Sequence, residues 1–545
     1  MKTASNTERF QERYKLHQYW ARKPWYIVKE CIERFTKPGD IILDPFVGSG
    51  ITACEALIAR RRVIAIDLNP IATLITKVTC YSPVDLCLLR DTFESILGNV
   101  QGEISRLYGT NCSQCGHQAT IINTIWRDSS PYLIFYSCKH CNRKDFKSLD
   151  NGDLSRIKQV EEFHGWYPSG VGLPSNADVS KLEQLFTRRN LEALSVLHNK
   201  IQQLDETPLK EVFWLMFSSM LARASKLIFV NNYRLTKKVN PAGVWGEKRF
   251  WIPEQYVENN VFYYFRERLP KFMKGKRESN ILIGDYFEEG KTIKILTQSA
   301  TDLSNVPSNS IDFCFTDPPY GGSIQYLDLS IIWNAWLQFT PDYAEEIIAK
   351  EGGIKQYQMM LNQAFKEIYR VLRPRKYLCV TFHSSDISVW NTLLIACKEA
   401  GFELVDLTPE PPLKRSHNQI ELPGAVKSDI LLTFKKPDAV EFTSPSVSSP
   451  PSIRNVVIEA ARELLQRTNS ALAAEIYDRT VIKWTQDVYY SQITEDRNEL
   501  NLNSLTNILK SCPEFESFIE LIADYKGRQR KVTKWCLIPQ TNTPS

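Results

Sequence analysis

The stretch IILDPFVGSGITACEALIARRRVIAID, residues 41–67, decides the fold. An apolar run stops at an acid, Asp44. Phe46-Val47-Gly48-Ser49-Gly50 follows, then a helical pattern from Ile51, then a second apolar run that stops at Asp67. Strand, Gly-rich turn, helix, strand is a βαβ unit of a parallel sheet. In open α/β sheets ligands bind outside the carboxyl ends of the strands, where the turn and both acids fall. Glycines there let the backbone turn sharply and approach a ligand closely. Asp67, 23 residues after Asp44, is placed to accept both hydroxyls of a ribose. The turn has neither the full G-x-G-x-x-G spacing nor a P-loop lysine, which argues against dinucleotide and triphosphate sites.

Working outward, the strand pattern lapses after residue 80 and resumes near 290. IKILTQSA precedes Asp302, IDFCFT ends at Asp317, and KYLCVTFH and DILLTFKK are later strands. Asp317-Pro318-Pro319-Tyr320 directly follows its strand. Two prolines stiffen the turn and remove two N–H donors. The Pro318 carbonyl and the Asp317 carboxylate are then two acceptors beside the aromatic face of Tyr320. That set suits a planar ring with an exocyclic amine.

The interruption has its own signals. Cys112-x2-Cys115 and Cys138-x2-Cys141 flank TIINTIW and YLIFYS. Two thiolate pairs at this spacing close a tetrahedral zinc site on a ribbon, and four Cys ligands leave no open position, so the metal is expected to be structural. His117 and His140 are expected to be bystanders. Nine further cysteines are scattered singly, as buried free thiols of a reducing compartment would be. Between Arg223 and Arg277 there are 13 Lys/Arg against four Glu, with 11 aromatics. Such a stretch grips phosphates and stacks on bases, or else is a core element with a solvated basic face; composition leaves both open. Residues 437–453 are Pro/Ser-rich and read as a linker, and the remainder reads as helical, then basic. The 545 residues, 43% hydrophobic and 24% charged with net charge +5, exclude a disordered, collagenous or coiled-coil chain. The polar start and the lack of a long apolar run give the expectation of a cytoplasmic protein of a bacterial or archaeal cell, associated with the nucleoid and not with a membrane.

DPFVGSG followed by TDPPY, with HQYWARKPWYIVKECIERFTKPGDI ahead of them, resembles the amino-group DNA methyltransferases. That family uses S-adenosylmethionine to make N6-methyladenine or N4-methylcytosine. The likeness covers about residues 15–80 and 290–435. It implies that Asp44, Phe46, Gly48 and Gly50 line the methionine end of the cofactor. Thr52 and the Arg22-Lys23-Pro24 segment would lie near its carboxylate, Asp67 at its ribose and Asp302 near its adenine. It implies that Asp317, Pro318 and Tyr320, with Pro319 in the same motif, hold the target base.

The expected fold is α/β: a Rossmann-like S-adenosylmethionine-dependent methyltransferase core with a large zinc-ribbon insertion and a mostly helical C-terminal segment. The expected domains are 1–84 (first part of the core), 85–150 (ribbon), 151–290 (helical and basic-aromatic, candidate for target recognition), 291–436 (second part of the core), 437–453 (linker) and 454–545. The expected activity is site-specific methylation of double-stranded DNA, at adenine N6 before cytosine N4. The alternatives are a guanine-N2-type RNA methyltransferase and a non-catalytic zinc-containing nucleic-acid-binding subunit. The family also implies association with restriction–modification or defence, with a nuclease or defence-system partner. The C-terminal segment is the rival of the insertion as recognition module.

Overall fold

The computed structural model describes residues 11–538, apart from 159–164, 247, 350–352, 385, 411–428, 439–451, 490–501 and 524–528. Most of the expected linker, 439–451, therefore lies outside the described residues.

The first strands are β1 (Ile41–Asp44) and β2 (Arg62–Asp67). Between and around them lie α1 (Trp25–Phe35), α2 (Ile51–Ile58) and α3 (Pro70–Cys80). The insertion supplies β3 (Gly109–Asn111), β4 (Gln118–Arg127), β5 (Ser130–Cys138), β6 (Arg143–Ser148) and β7 (Gln255–Asn259). The core resumes with β8 (Ile293–Thr297), β9 (Ile311–Thr316), β10 (Leu372–Phe382), β11 (Glu403–Glu410) and β12 (Asp429–Lys435). The C-terminal segment adds β13 (Ala471–Leu472), β14 (Phe515–Ala523) and β15 (Gln529–Leu537).

The main sheet runs β11-β12-β10-β9-β1-β2-β8. Its strands pair in parallel except β12, which is antiparallel to both neighbours. Counting only core strands, this is the order 3-2-1-4-5-7-6 with the seventh reversed, the arrangement of S-adenosylmethionine-dependent methyltransferases. β1 lies at the topological switch point, with β2 on one side and β9 on the other. The crevice beyond its carboxyl end is where such sheets bind ligands. β9 is buried along its whole length, as a strand covered on both faces must be. α1 and α2 cover one face through Val28, Ile32, Ile51 and Leu57. The helices Gly353–Val371 and Ile387–Ala400 cover the other through Leu361, Phe365, Leu393 and Leu394.

α3 joins core to insertion. Its Ile71, Leu74, Ile75 and Val78 recur at helical spacing and are buried with the insertion helices, not with the sheet. The expected ribbon strands TIINTIW and YLIFYS fall within β4 and β5. β7 pairs with β4, which ties the ribbon's sheet to the following segment through Asn123↔Asn259 and its neighbours. Much of the basic-aromatic stretch is core: Phe262, Phe265, Phe272 and even Lys276 are buried, the last capping the Val78 and Thr79 carbonyls at the end of α3. The C-terminal segment is less helical than expected. Three helices, Ile453–Thr468, Ala473–Tyr489 and Leu502–Lys510, accompany an antiparallel sheet ordered β13-β15-β14. No described helix is long and apolar enough to cross a membrane.

Candidate active site

The turn after β1 is shaped by backbone demands. Gly48 has φ +51° and Gly50 φ +79°, the left-handed region that glycine adopts without penalty. A Cβ on Gly50 would lie 2.9 Å from the Thr76 Cα, so the glycine also allows α2 to approach α3. The Gly48 N–H donates to Asp67 Oδ2 at 2.8 Å, and the Asn69 N–H donates to Asp67 Oδ1 at 2.9 Å. The acid ending β2 thus fastens the turn that ends β1. Burial pushes the Asp67 carboxyl up to about 6, against these two N–H bonds. Burial likewise pushes Asp44 up to about 7, against hydrogen bonds from Thr52 and the Phe46 N–H.

Asp44, Phe46, Gly48, Thr52 and Asp67 all line one cleft. Lys23, Asp317 and Pro319 line the same cleft, so the two strand-end motifs share a space. Pro318, Tyr320 and Gly50 are set behind the lining, as is Pro24, which is buried where α1 begins. Asp302 lies outside the lining. Its carboxylate accepts from the Ser304 N–H at 2.9 Å, and Ser299 and Ala300 line the cleft in that region instead. Three aromatics that the motifs do not single out form a wall: Tyr19 and Tyr326, stacked with centroids 6.0 Å apart, and Trp20.

Around Asp317 lies a buried charge network. Lys23 Nζ is 3.3 Å from Asp317 Oδ1 and 2.9 Å from Asp429 Oδ2, and it donates to the Tyr320 hydroxyl. Tyr320 donates to Asp317 and meets Phe382 edge-on at 5.1 Å. His383 Nδ1 is 3.5 Å from Asp429 Oδ1. Burial pushes Asp317 up to about 6, the Lys23 charge opposing it. Burial by itself lowers the Lys23 ammonium; the Asp317 and Asp429 carboxylates outweigh that and raise it. The Pro319 carbonyl accepts from Tyr357 at 2.6 Å and is therefore occupied. Asp429 and His383 carry no motif. The available signal is topological: a reversed strand brings its first residue to the edge where parallel strands end, and Asp429 opens β12.

The four ribbon cysteines meet. Cys112 Sγ and Cys141 Sγ are 3.7 Å apart, as are Cys115 Sγ and Cys138 Sγ, and all four lie within 4.8 Å of one another. Tetrahedral zinc with bonds of about 2.3 Å needs sulfurs about 3.8 Å apart. The donor set and its spacing fit structural zinc. His117 and His140 stack on each other at 3.5 Å beside it.

Residues 2–77 match the DNA methylase family model (N6_N4_Mtase). The type II methyltransferase M.MjaII of Methanocaldococcus jannaschii is 23% identical over 59% of this chain and 62% of its own length. M2.DpnII of Streptococcus pneumoniae, also a type II methyltransferase, is 52% identical over 8% of this chain and 17% of its own. This chain thus spans less than two thirds of the relatives it matches. Among solved structures, the rRNA methyltransferase aviRa of Streptomyces viridochromogenes is 10% identical, covering 79% of this chain and 94% of its own, with a TM-score of 0.25. The fold rests on the strand order rather than on that likeness. In the match over residues 2–77 and in its type II methyltransferase relatives, this chain is similar to the amino-group DNA methyltransferases.

Proposed function

We propose that this protein methylates the exocyclic amine of a base flipped out of double-stranded DNA, adenine N6 first, with S-adenosylmethionine as donor. One observation carries the reading: Asp317 opens into the same cleft as Asp44, Gly48 and Asp67, so a base held at one end reaches a cofactor held at the other. Bound there, S-adenosylmethionine supplies a methyl group already activated on a positively charged sulfur. Asp67 takes the ribose hydroxyls, and the turn through Phe46 and Gly48 lines the methionine end. The Asp317 carboxylate accepts a hydrogen bond from the amine of the base, and the carbonyl of the buried Pro318 beside it would accept the second once a base is seated, which turns the nitrogen lone pair out of the ring plane. Positioning is then the main contribution, because little covalent work is left to the protein. Asp317 need not be a strong base, since a methylated ammonium loses its proton readily. Duplex DNA must yield the base by flipping, at a cost of a few kcal/mol.

The insertion supplies the DNA-facing wall in this reading. Lys248 Nζ lies 3.5 Å from the Ser323 carbonyl, just past the Asp317 turn, and Trp245 packs edge-on at 5.8 Å against Trp20 of the cleft wall. Tyr233, Lys237 and Lys238 on the same segment are exposed.

The test is a nucleoside digest. The protein is incubated with S-adenosylmethionine and mixed-sequence bacterial DNA, and methylated bases are identified by mass spectrometry. N6-methyladenine is expected. N4-methylcytosine would keep the chemistry and change the base pocket. No methylated base from active, cofactor-binding protein would overturn the reading. Asp317→Ala is expected to abolish the product while leaving the cofactor-dependent thermal shift intact.

A further inference from the structure

The C-terminal segment has an order of its own: helix Ile453–Thr468, β13, helix Ala473–Tyr489, helix Leu502–Lys510, then the β14–β15 hairpin. β13 pairs with β15, which pairs with β14, all antiparallel. Helix, strand, two helices and a closing hairpin, with the short strand beside the last strand of the hairpin, is the element order and strand pairing of a winged helix-turn-helix. In that motif the helix before the hairpin lies in the DNA major groove. The twelve residues 490–501 between the second and third helices lie outside the described residues.

The third helix has the faces this role requires. Leu505 and Leu509 are buried in the shared core. Asn503, Asn507 and Lys510 recur at i, i+4 and i+7 on the opposite side and are exposed. Asn side chains can pair with the N6 and N7 edge of adenine in the major groove, and a Lys serves guanine or a phosphate. Within the hairpin, Lys531 of β15 is exposed.

The domain is fixed to the catalytic rim. Trp484 Nε1 donates to Asn391 Oδ1 at 2.8 Å, and the Tyr489 hydroxyl donates to the Phe402 carbonyl at 2.8 Å. The Tyr477 hydroxyl lies 3.5 Å from the Ser384 carbonyl, and Ser384 follows His383 of the Asp429 network. DNA held by the third helix is therefore held by a body docked on the edge of the sheet that bears Asp317.

We propose that the three helices and the β13-β15-β14 sheet of the C-terminal segment form a winged-helix reader of double-stranded DNA, in which Asn503, Asn507 and Lys510 enter the major groove and specify the site to be methylated. The proposal rests on the reading of duplex DNA as substrate. The insertion wall then serves the flipped base, and the winged helix serves the sequence.

The test uses the full chain with Asn503→Ala and Asn507→Ala combined, and separately Lys531→Ala. Methylated positions are mapped on bacterial DNA. Affinity is measured at fixed salt for a duplex bearing the preferred site of the wild type and for a scrambled duplex. The double variant should lose about tenfold or more of the preference for the site, with thermal stability and cofactor-dependent thermal shift unchanged. Lys531→Ala should weaken both duplexes alike and make the logarithmic salt slope shallower by about one. A double variant that keeps the wild-type site preference overturns the proposal. So does one that changes only the oligomeric state, which would make this face a protein contact. Wild-type protein that binds a preferred duplex through this helix but methylates nothing would sink the methyltransferase reading and leave the reader standing. Wild-type protein that binds no duplex DNA sinks both.

Discussion

Lys23 stands between Asp429 and Asp317, and burial would otherwise drive the Asp317 carboxyl further towards its neutral form. Asp317, up at about 6, is ionised above that pH, the form in which the proposed hydrogen bond from a substrate amine could be accepted. The acid limb of kcat/KM should therefore show an apparent pKa near 6. Lys23→Met removes the opposing positive charge, so the limb should move to higher pH; a limb that stays or falls would show that Lys23 does not hold Asp317 ionised. Asp44 gives a second expectation. Its carboxyl, up at about 7, holds its proton more tightly in the folded protein than in the unfolded chain, where it titrates near about 3.9. Its contribution to stability is thus present below about pH 4 and lost as pH rises through about 7. Asp44→Asn should raise the Tm of cofactor-free protein at pH 8, leave it unchanged at pH 4, and weaken cofactor binding; thermal melts at both pH values check this. Asp44, Asp67 and Asp317 were legible in the sequence because each ends an apolar run. Asp429 was not: it begins its strand, and only the reversal of β12 brings it to the rim. Lys23 shows the reverse case, a residue legible as part of the site whose partners, two carboxylates and a phenol, nothing in its neighbours announces.

At the scale of elements, α2 depends on Gly50. A side chain there meets both an unfavourable φ and the Thr76 backbone. Gly50→Ala should cost about 1–3 kcal/mol in backbone strain alone, and more if α3 has to shift. A lower Tm together with weaker cofactor binding is the expected result, and an unchanged melt would refute it. The ribbon gives a parallel expectation. Cys138→Ser, or a chelator, should lower the Tm, and the wild type should release about one zinc per chain when its thiols are titrated. The cluster of Cys112, Cys115, Cys138 and Cys141 was legible because two Cys-x2-Cys pairs at that spacing have few other uses. The aromatic run at residues 262–265 was not, because composition cannot separate a stacking surface from a core. Phe262 and Phe265, three apart, turn inward on their helix, and Tyr263 and Tyr264 stay half-buried. The C-terminal hairpin escaped because its nine-residue strands pair mainly with each other and carry charged residues among the apolar ones, which composition reads as a polar tail.

At the scale of the whole molecule, the core sheet is made from distant pieces, and buried polar contacts fasten them. Asn69 Nδ2 donates to Ser330 Oγ at 2.7 Å, and Asn334 Nδ2 donates to Asn69 Oδ1 at 3.0 Å, joining residues on opposite sides of the insertion. Within the insertion, Arg189 and Glu258 pair out of water, with Thr187 and Trp126 also donating to that carboxylate. Arg189→Met leaves Glu258 without its cation and should destabilise the fold by about 3–5 kcal/mol, read as a lower denaturant midpoint. The same interruption has a kinetic side. β2 pairs with β8, so Ile293 must find Val63 across more than two hundred residues. Closing a random loop of that length costs about 5 kcal/mol of chain entropy. An insertion that folds first, with β7 already zipped to β4, shortens the slack and carries β8 towards its neighbour. On the ribosome, β1 and β2 emerge long before β8 and β9 exist to flank them. Zinc captured early by the ribbon would then set the pace at which the catalytic sheet closes, and refolding slowed by a chelator would be its signature.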